Sequence, residues 1–373
     1  MKKYDIAAFI WPSYTGDEPR SRIFWPDGIG EWQTVDSMTD RGYPGCSWPR
    51  RPVWGYVNEA DSAVMEKQIE CAVSHGVNVF IYDWYWYDNR PFLENCLNDG
   101  FLKAANCKDM QFYLMWANHN ATYLWDKRNS GDLSTVVWNG VVTPEIFDNI
   151  CDRTIEKYFK QDNYYCIDGC PVYMIFEVHN FIRNFGTTQA CRAAIERFRE
   201  KVKAAGFPDL HLQFVHWHKQ SYDWLPDNDE NKGASGIEIY DYLGVDSVTA
   251  YNWGCAVRLD GDYAGLTNEY LDHIKEFTQE SSTPYYPNLT VGWDTNVRFQ
   301  EYMPGVVTGN TPDKIREACL KLKEITDDAL ENGKLRVPLI TVNSWNEWTE
   351  TSYLQPDDLY GYGYLEAIRD VFC

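Results

Sequence analysis

Short apolar runs rich in β-branched and aromatic residues alternate along the chain with longer stretches in which apolar residues recur every three or four positions. The first pattern is that of buried strands and the second that of amphipathic helices. The opening run, Asp5 to Trp11, leads into a long connection rich in Pro, Gly and Trp that extends to about Glu59. Asp61 is then placed to cap a helix over DSAVMEKQIECAVSHG, where Val64, Ile69, Ala72 and Val73 keep helical spacing and Gly76 ends it. VNVFIYDWYW predicts a second strand, Phe92 to Ala105 a helix, and MQFYLMWANH a third strand. A helix opened by Pro144 follows, then the strand PVYMIFEVHN, a helix over roughly Thr188 to Ala205, and the strand HLQFVHWH. An acidic stretch from Lys219 to about Gly236 precedes a short helix near Glu238 to Leu243 and the strand SVTAYNW. A helix over about Leu266 to Thr278, the strand NLTVGWD, a helix from Pro312 to about Leu330, a strand beginning at Leu335 and a last helix over Tyr362 to Phe372 complete the pattern.

Eight strands, each followed by a helical stretch, predict an α/β fold with parallel strands and right-handed crossovers, and eight units are the number that closes a (β/α)8 TIM barrel. No shift in composition divides the chain, so residues 1–373 are expected to form one barrel domain. The connections after strands one, three, five and seven are long and aromatic, whereas helix-to-strand joints such as Ser74 to Gly76 are short. In such barrels the loops that follow the strands build the active-site face.

The strand ends share a chemistry. Strand one ends in Trp11, strand two in Asp83, Trp84 and Trp86, and strand three in Trp116, Asn118 and His119. Strand four ends in Glu177 and His179, strand five in His216, Trp217 and His218, and strand six in Tyr251, Asn252 and Trp253. Trp293 and Asp294 end strand seven; Asn343, Trp345, Asn346, Glu347, Trp348 and Glu350 follow strand eight. A closed barrel brings these into one ring. They predict an open aromatic cleft with Asp83, Glu177, Asp294, Glu347 and Glu350 as its acids.

Composition narrows the partner. The chain holds 16 Trp, 26 Tyr and 17 Phe, side chains whose flat apolar faces and polar edges suit sugar rings as well as a large core. Its formal charge of -21 repels phosphate backbones and anionic headgroups, so nucleic acid and membrane surfaces are not expected partners. Eleven scattered cysteines without C-x-x-C pairs read as small hydrophobes in a reduced compartment. The start, MKKYDIAAFIWPSY, meets Asp5 before any long apolar core and reads as a strand, not a signal peptide; a cytoplasmic protein is the expectation.

Glu347 and Glu350 lie three positions apart. One helical turn there sets their Cβ atoms roughly 5–6 Å apart, near the carboxyl separation of about 5–5.5 Å that retaining glycoside cleavage requires. The competing pair, Glu177 with Asp294 on strands four and seven, lacks the Asn-Glu usual at strand four, since Phe176 precedes Glu177. A metal group of His179, His216, His218 and Asp294 matches no H-E-x-x-H or Cys/His spacing, and G-x-S-x-G and phosphate-loop motifs are absent.

Three blocks carry a resemblance. SWNEWTETSYLQPDDLYGYGYLEAIR, EKQIECAVSHGVNVFIYDWYW and FYLMWANHNATYLWD are similar to blocks of the glycoside hydrolase family 99-like proteins, including the WbsX-type glycosyltransferases. The resemblance implies a (β/α)8 barrel acting on α-linked carbohydrate with retention, endo-acting α-mannosidase-like, with no metal and no cofactor. By its E-W-x-E motif, Glu347 would take the proton of a sugar 2-hydroxyl, which attacks the anomeric carbon to form a 1,2-anhydro sugar. Glu350 would be the general acid and then the base at the glycosidic oxygen. Sugar transfer from a nucleotide donor and a non-catalytic carbohydrate-binding barrel are the alternatives.

Overall fold

A computed structural model describes residues 4–218 and 220–373 of the chain. Lys2 and Lys3 of the opening segment, and Lys219 at the head of the acidic stretch, lie outside the described residues. The expected barrel is present. Its strands are β1 (Asp5–Ile10), β2 (Val79–Tyr87), β3 (Gln111–Trp116), β4 (Cys170–Ile175), β5 (His211–Val215) and β6 (Ser247–Thr249). The last two are β7, in two pieces Tyr285–Tyr286 and Asn288–Thr290, and β8 (Leu339–Asn343). Each pairs in parallel with the next, and β8 returns to β1 with Asp5 opposite Leu339.

Pro287 explains the split. Proline has no N–H to give to a ladder, so the strand breaks there, while its carbonyl still accepts from the Thr341 N–H at 2.9 Å. The first piece pairs with β6 and the second with β8, which together close the ring. Contacts that skip a strand mark the interior: Thr249 to Thr341 at 2.8 Å and Tyr113 to Gln213 at 3.2 Å, with Asn288 of β7 joining the first through Thr341 at 3.0 Å. This core is a hydrogen-bonded polar network, which stays stable in low dielectric because its members satisfy one another.

Outside lie α1 (Ser62–Ser74), α2 (Pro144–Thr154), α3 (Val178–Phe185), α4 (Thr188–Ala204), α5 (Gly236–Leu243), α6 (Tyr263–Glu280), α7 (Pro312–Glu331) and α8 (Gly363–Phe372). Asp61 caps α1 through the Ala63 N–H, as its position predicts. The expected helix over Phe92 to Ala105 is replaced by a π turn, Cys96–Gly100, and a short 3-10 turn, Phe101–Lys103. The cause is local: β2 reverses at Asp88 and Asn89, both in left-handed conformation, and Arg90–Phe92 pairs back on it. Gly100 seats this segment, since a Cβ there would stand 2.0 Å from the Glu59 carbonyl oxygen.

β4 also ends earlier than expected. The Glu177 carboxylate accepts from the His179 N–H at 3.0 Å and so starts α3, which carries His179 onto a helix. The long first connection folds across the C-terminal rim, with the Trp48 indole donating to Thr351 at 2.8 Å and Trp32 packing on Trp348. All eleven cysteines are free thiols. Among the described residues, no helix is long and apolar enough to cross a membrane.

Candidate active site

Beyond β8 the chain forms a tight hairpin: Asn346–Glu347 pairs with Ser352–Tyr353 around one 3-10 turn, Trp348–Glu350. This is the single turn that the spacing of the two glutamates requires. It is held at its base, where the Trp345 N–H donates to the Phe9 carbonyl and the Glu347 N–H to Ser344 Oγ. Asn346 clamps the backbone of Trp11 from both sides, at 2.8 and 2.9 Å.

Glu347 and Glu350 meet at one buried guanidinium. Arg298 donates through Nη2 to Glu347 Oε2 at 3.1 Å and through Nη1 to Glu350 Oε1 at 2.8 Å. Its Nε donates to Thr349 Oγ1 at 2.8 Å, and Thr349 in turn donates to Glu31 at 2.9 Å. Glu31 stands 3.7 Å from the same Nε, so three carboxylates surround one cation. Burial works against the Arg298 charge, but Glu350, Glu347 and Glu31 outweigh it and keep the group protonated. Burial also pushes the Glu347 carboxyl well above the ordinary glutamate range; the Glu350 charge adds to this and Arg298 opposes it. Glu350 is raised too, by burial, against the pull of Arg298.

A second contact completes the group. Tyr251 Oη lies 3.1 Å from Asp83 Oδ2 and 3.2 Å from Glu347 Oε1. A phenol has one proton to donate, so both contacts are hydrogen bonds only when one of the two carboxyls brings its own. Burial holds the Asp83 carboxyl well above its usual range, in keeping with that shared proton. The buried Glu350 Oε2, Asp83 Oδ1 and Asp294 Oδ2 have no hydrogen-bond partner.

The structure sorts the predicted residues. Asp83, Tyr251, Glu347 and Glu350 come together, and Asp294 joins them through its N–H, which donates to the Glu350 carbonyl at 2.8 Å. Asn343 is fully buried beneath them with its amide unpartnered. The expected open aromatic cleft is corrected: Trp11, Trp116, Trp253, Trp345 and Trp348 are among the largest fully buried side chains, and Glu347 and Glu350 are only 3% and 8% exposed. The reason is packing by the first connection and the helices. Trp11 donates to Glu31 and lies against Trp25, Tyr85 and Trp125. Trp348 stacks on Tyr353 with ring centroids 3.8 Å apart, and Trp345 donates to Gln68 on α1.

Several others face away from the barrel axis. Alternation along β2 sends Trp84 and Trp86 to the face opposite Asp83, and Trp84 donates to Glu94 at 2.8 Å. Trp116 packs on Phe147 of α2 and Phe181 of α3, and Trp253 on Tyr263 and Tyr270 of α6. Asn118 brackets the backbone of Glu177, and Trp217 donates to the Phe176 carbonyl, so these brace the rim. His119 is half-buried against Tyr85, Trp125 and Phe176, beside a cavity of about 200 Å³ that Asn118, Asn180 and Arg183 also line. Asn252 is nearly buried and Trp293 half-buried at the same rim.

The metal group of His179, His216, His218 and Asp294 does not assemble. His179 lies beside Tyr222 and Trp224, while Asp294 borders the carboxylates. His216 and His218 sit instead on the outer side of the barrel wall, next to His273 of α6. Sequence reasoning missed Arg298 and Glu31. Arg298 had one usable signal, a lone cation four residues past Asp294 in a rim of acids; Glu31 lies in a connection without periodicity.

Comparison with known proteins agrees with this architecture. A family model described as glycosyltransferase WbsX matches residues 6–368. A protein of Xanthomonas campestris pv. campestris, described as uncharacterized protein WxcX, is 23% identical over 369 residues, covering 98% of this chain and 49% of its own length. The chain thus spans about half the length of the curated relatives it matches. Among solved structures, a glycoside hydrolase-like protein aligns with a TM-score of 0.61 and 13% identity over 100% of this chain and 94% of its own. The GH99 endo-alpha-mannosidase from Bacteroides thetaiotaomicron aligns with a TM-score of 0.57 and 13% identity, over 100% and 97%. At these identities the likeness is one of fold.

Proposed function

The chain belongs to the WbsX glycosyltransferase family, matched over residues 6–368, and from the carboxylates that its barrel brings together we propose that it is a retaining glycoside hydrolase acting on α-linked oligo- or polysaccharide. The observation that carries this reading is the Glu347–Arg298–Glu350 bridge at the end of β8. In the first step Glu347 takes the proton of a sugar 2-hydroxyl, whose oxygen bonds to C1 as the C1 bond to the leaving oxygen breaks and Glu350 protonates that oxygen. In the second, water bonds to C1 as the C1–O2 bond breaks; Glu350 takes the water proton and Glu347 returns its own to O2.

The charge of the pair supports this cycle. One carboxyl is protonated and the other ionised at every stage, so the pair carries one negative charge while the proton changes sides. Arg298 touches both and offsets the charge wherever it resides. A guanidinium already fixed between two proton carriers needs no rearrangement during the reaction, which is the main advantage of a preorganised site. Burial raises both carboxyls, Glu347 the more, so the two share their proton as a pair, and the reaction starts from the form in which Glu350 holds it.

The family's description as a glycosyltransferase favours a second reading, transfer of a sugar from a nucleotide donor. Two measurements separate them. Hydrolysis predicts release of reducing ends from a defined α-linked glycan by the wild type and none by Glu350→Gln, with an unchanged circular dichroism spectrum. Transfer predicts calorimetric binding of UDP or GDP; such binding, with no reducing ends from any glycan, would replace the hydrolase reading.

A further inference from the structure

Three histidines meet on the outer side of the barrel wall. His216 and His218 are alternate residues just beyond β5, which places both on one side of the extended chain, and His273 comes from α6. The His216 and His273 rings stack with centroids 5.2 Å apart, and His218 stands edge-on to His273 at 4.6 Å. One ligand nitrogen from each lies within 4.8 Å of the other two, and among the described residues no other group of His, Cys, Asp or Glu does so.

Two features set this cluster apart from packed core histidines. His216 Nε2 and His273 Nε2 are buried and have no hydrogen-bond partner, in residues each 6% exposed. A cavity of about 220 Å³ adjoins them, lined also by Gln220, Glu276 and Glu280, so the adjoining space is acidic. His216 Nδ1 lies 3.1 Å from Tyr240 Oη. When Nδ1–H donates to that phenol, Nε2 bears the lone pair, the arrangement in which an outer partner orients a metal-binding imidazole.

We propose that His216, His218 and His273 bind a divalent late transition-metal ion, zinc above all, which pins the segment after β5 to α6. Imidazole ligands suit zinc, nickel and copper. Zn–N bonds of about 2.0–2.1 Å in a tetrahedron place the nitrogens roughly 3.3 Å apart, and His218, the least buried of the three, is the member whose movement would close the difference. Water or one of the cavity carboxylates completes the fourth position. This site is separate from Glu347 and Glu350, and the inference does not depend on the hydrolase reading.

The test uses tag-free, chelator-treated full chain titrated with zinc chloride by calorimetry, with nickel and copper chlorides run alongside. One equivalent should bind with micromolar or tighter affinity, and zinc should raise the thermal midpoint. His218→Ala and His273→Asn should each weaken binding at least tenfold and remove the midpoint shift, while Glu350→Gln binds as the wild type. His218→Ala alters the least buried of the three side chains, so it carries the test if His273→Asn fails to fold. Failure of the folded wild type to bind any of the three ions stoichiometrically, or binding that His218→Ala leaves unchanged, overturns the site.

Discussion

Replacing Arg298 with methionine removes the cation from among Glu31, Glu347 and Glu350 while keeping most of the side chain's bulk. Arg298 is 5% exposed, so solvent cannot take its place. Breaking a buried ion pair from one side costs about 3–5 kcal/mol, because the partner charge is left uncompensated. The carboxyls can relieve part of this by holding protons, which gives the loss a pH dependence of definite sign. Burial already raises Glu347 and Glu350 in the folded chain, and removing Arg298 raises them further. A carboxyl whose folded pKa exceeds its unfolded value of about 4.3 binds its proton more tightly when folded, so stability falls as pH rises from that value through the folded pKa. Urea denaturation of wild type and Arg298→Met at pH 5 and pH 8 should therefore show the full loss at pH 8 and a clearly smaller one at pH 5. The same variant should lose about 100-fold or more in turnover, as when one fixed donor is removed from a charge-stabilising site. Equal destabilisation at both pH values, or none, would refute the reasoning.

Asp83→Asn should leave the acidic limb of the kcat/KM profile in place, since a protonated Asp83 carboxyl and an asparagine amide both donate to Tyr251 and leave its phenol to donate to Glu347. A limb that moves to lower pH would show that Asp83 carries a charge beside Glu347, and would contradict the shared-proton contact through Tyr251. Trp348→Ala should cost about 3–5 kcal/mol in denaturant unfolding, since the ring is fully buried, stacks on Tyr353 and donates to Gln355 at 2.7 Å. A loss below about 1 kcal/mol would show that the hairpin does not depend on that stack.

Much of the barrel is legible because its strands are short apolar runs between helices with clear caps: Asp61 and Pro144 mark starts that the structure shows. The pairing of Glu347 with Glu350 is legible for a similar reason, since three positions on one turn determine it. Which face of a strand looks inward is harder. All nine residues of β2 are buried, so alternation alone could not tell the Asp83 and Tyr85 face from the Trp84 and Trp86 face. The helix expected over Phe92 to Ala105 failed because the Asp88-Asn89 turn outweighs helical periodicity, a signal present but unused. Glu31 and His273 were beyond reach for opposite reasons. Glu31 lies in a loop with no repeat, and His273 is a single polar residue on a buried helix face, whose neighbours only the tertiary fold supplies.

The most direct measurement is NMR of the first-formed product from a defined α-linked oligosaccharide, recorded before mutarotation. An α-configured reducing end is expected from the wild type and no product from Glu350→Gln. A β-configured end would mean that water attacks directly at the anomeric carbon, and would contradict the passage of the reaction through a sugar 2-hydroxyl held by Glu347.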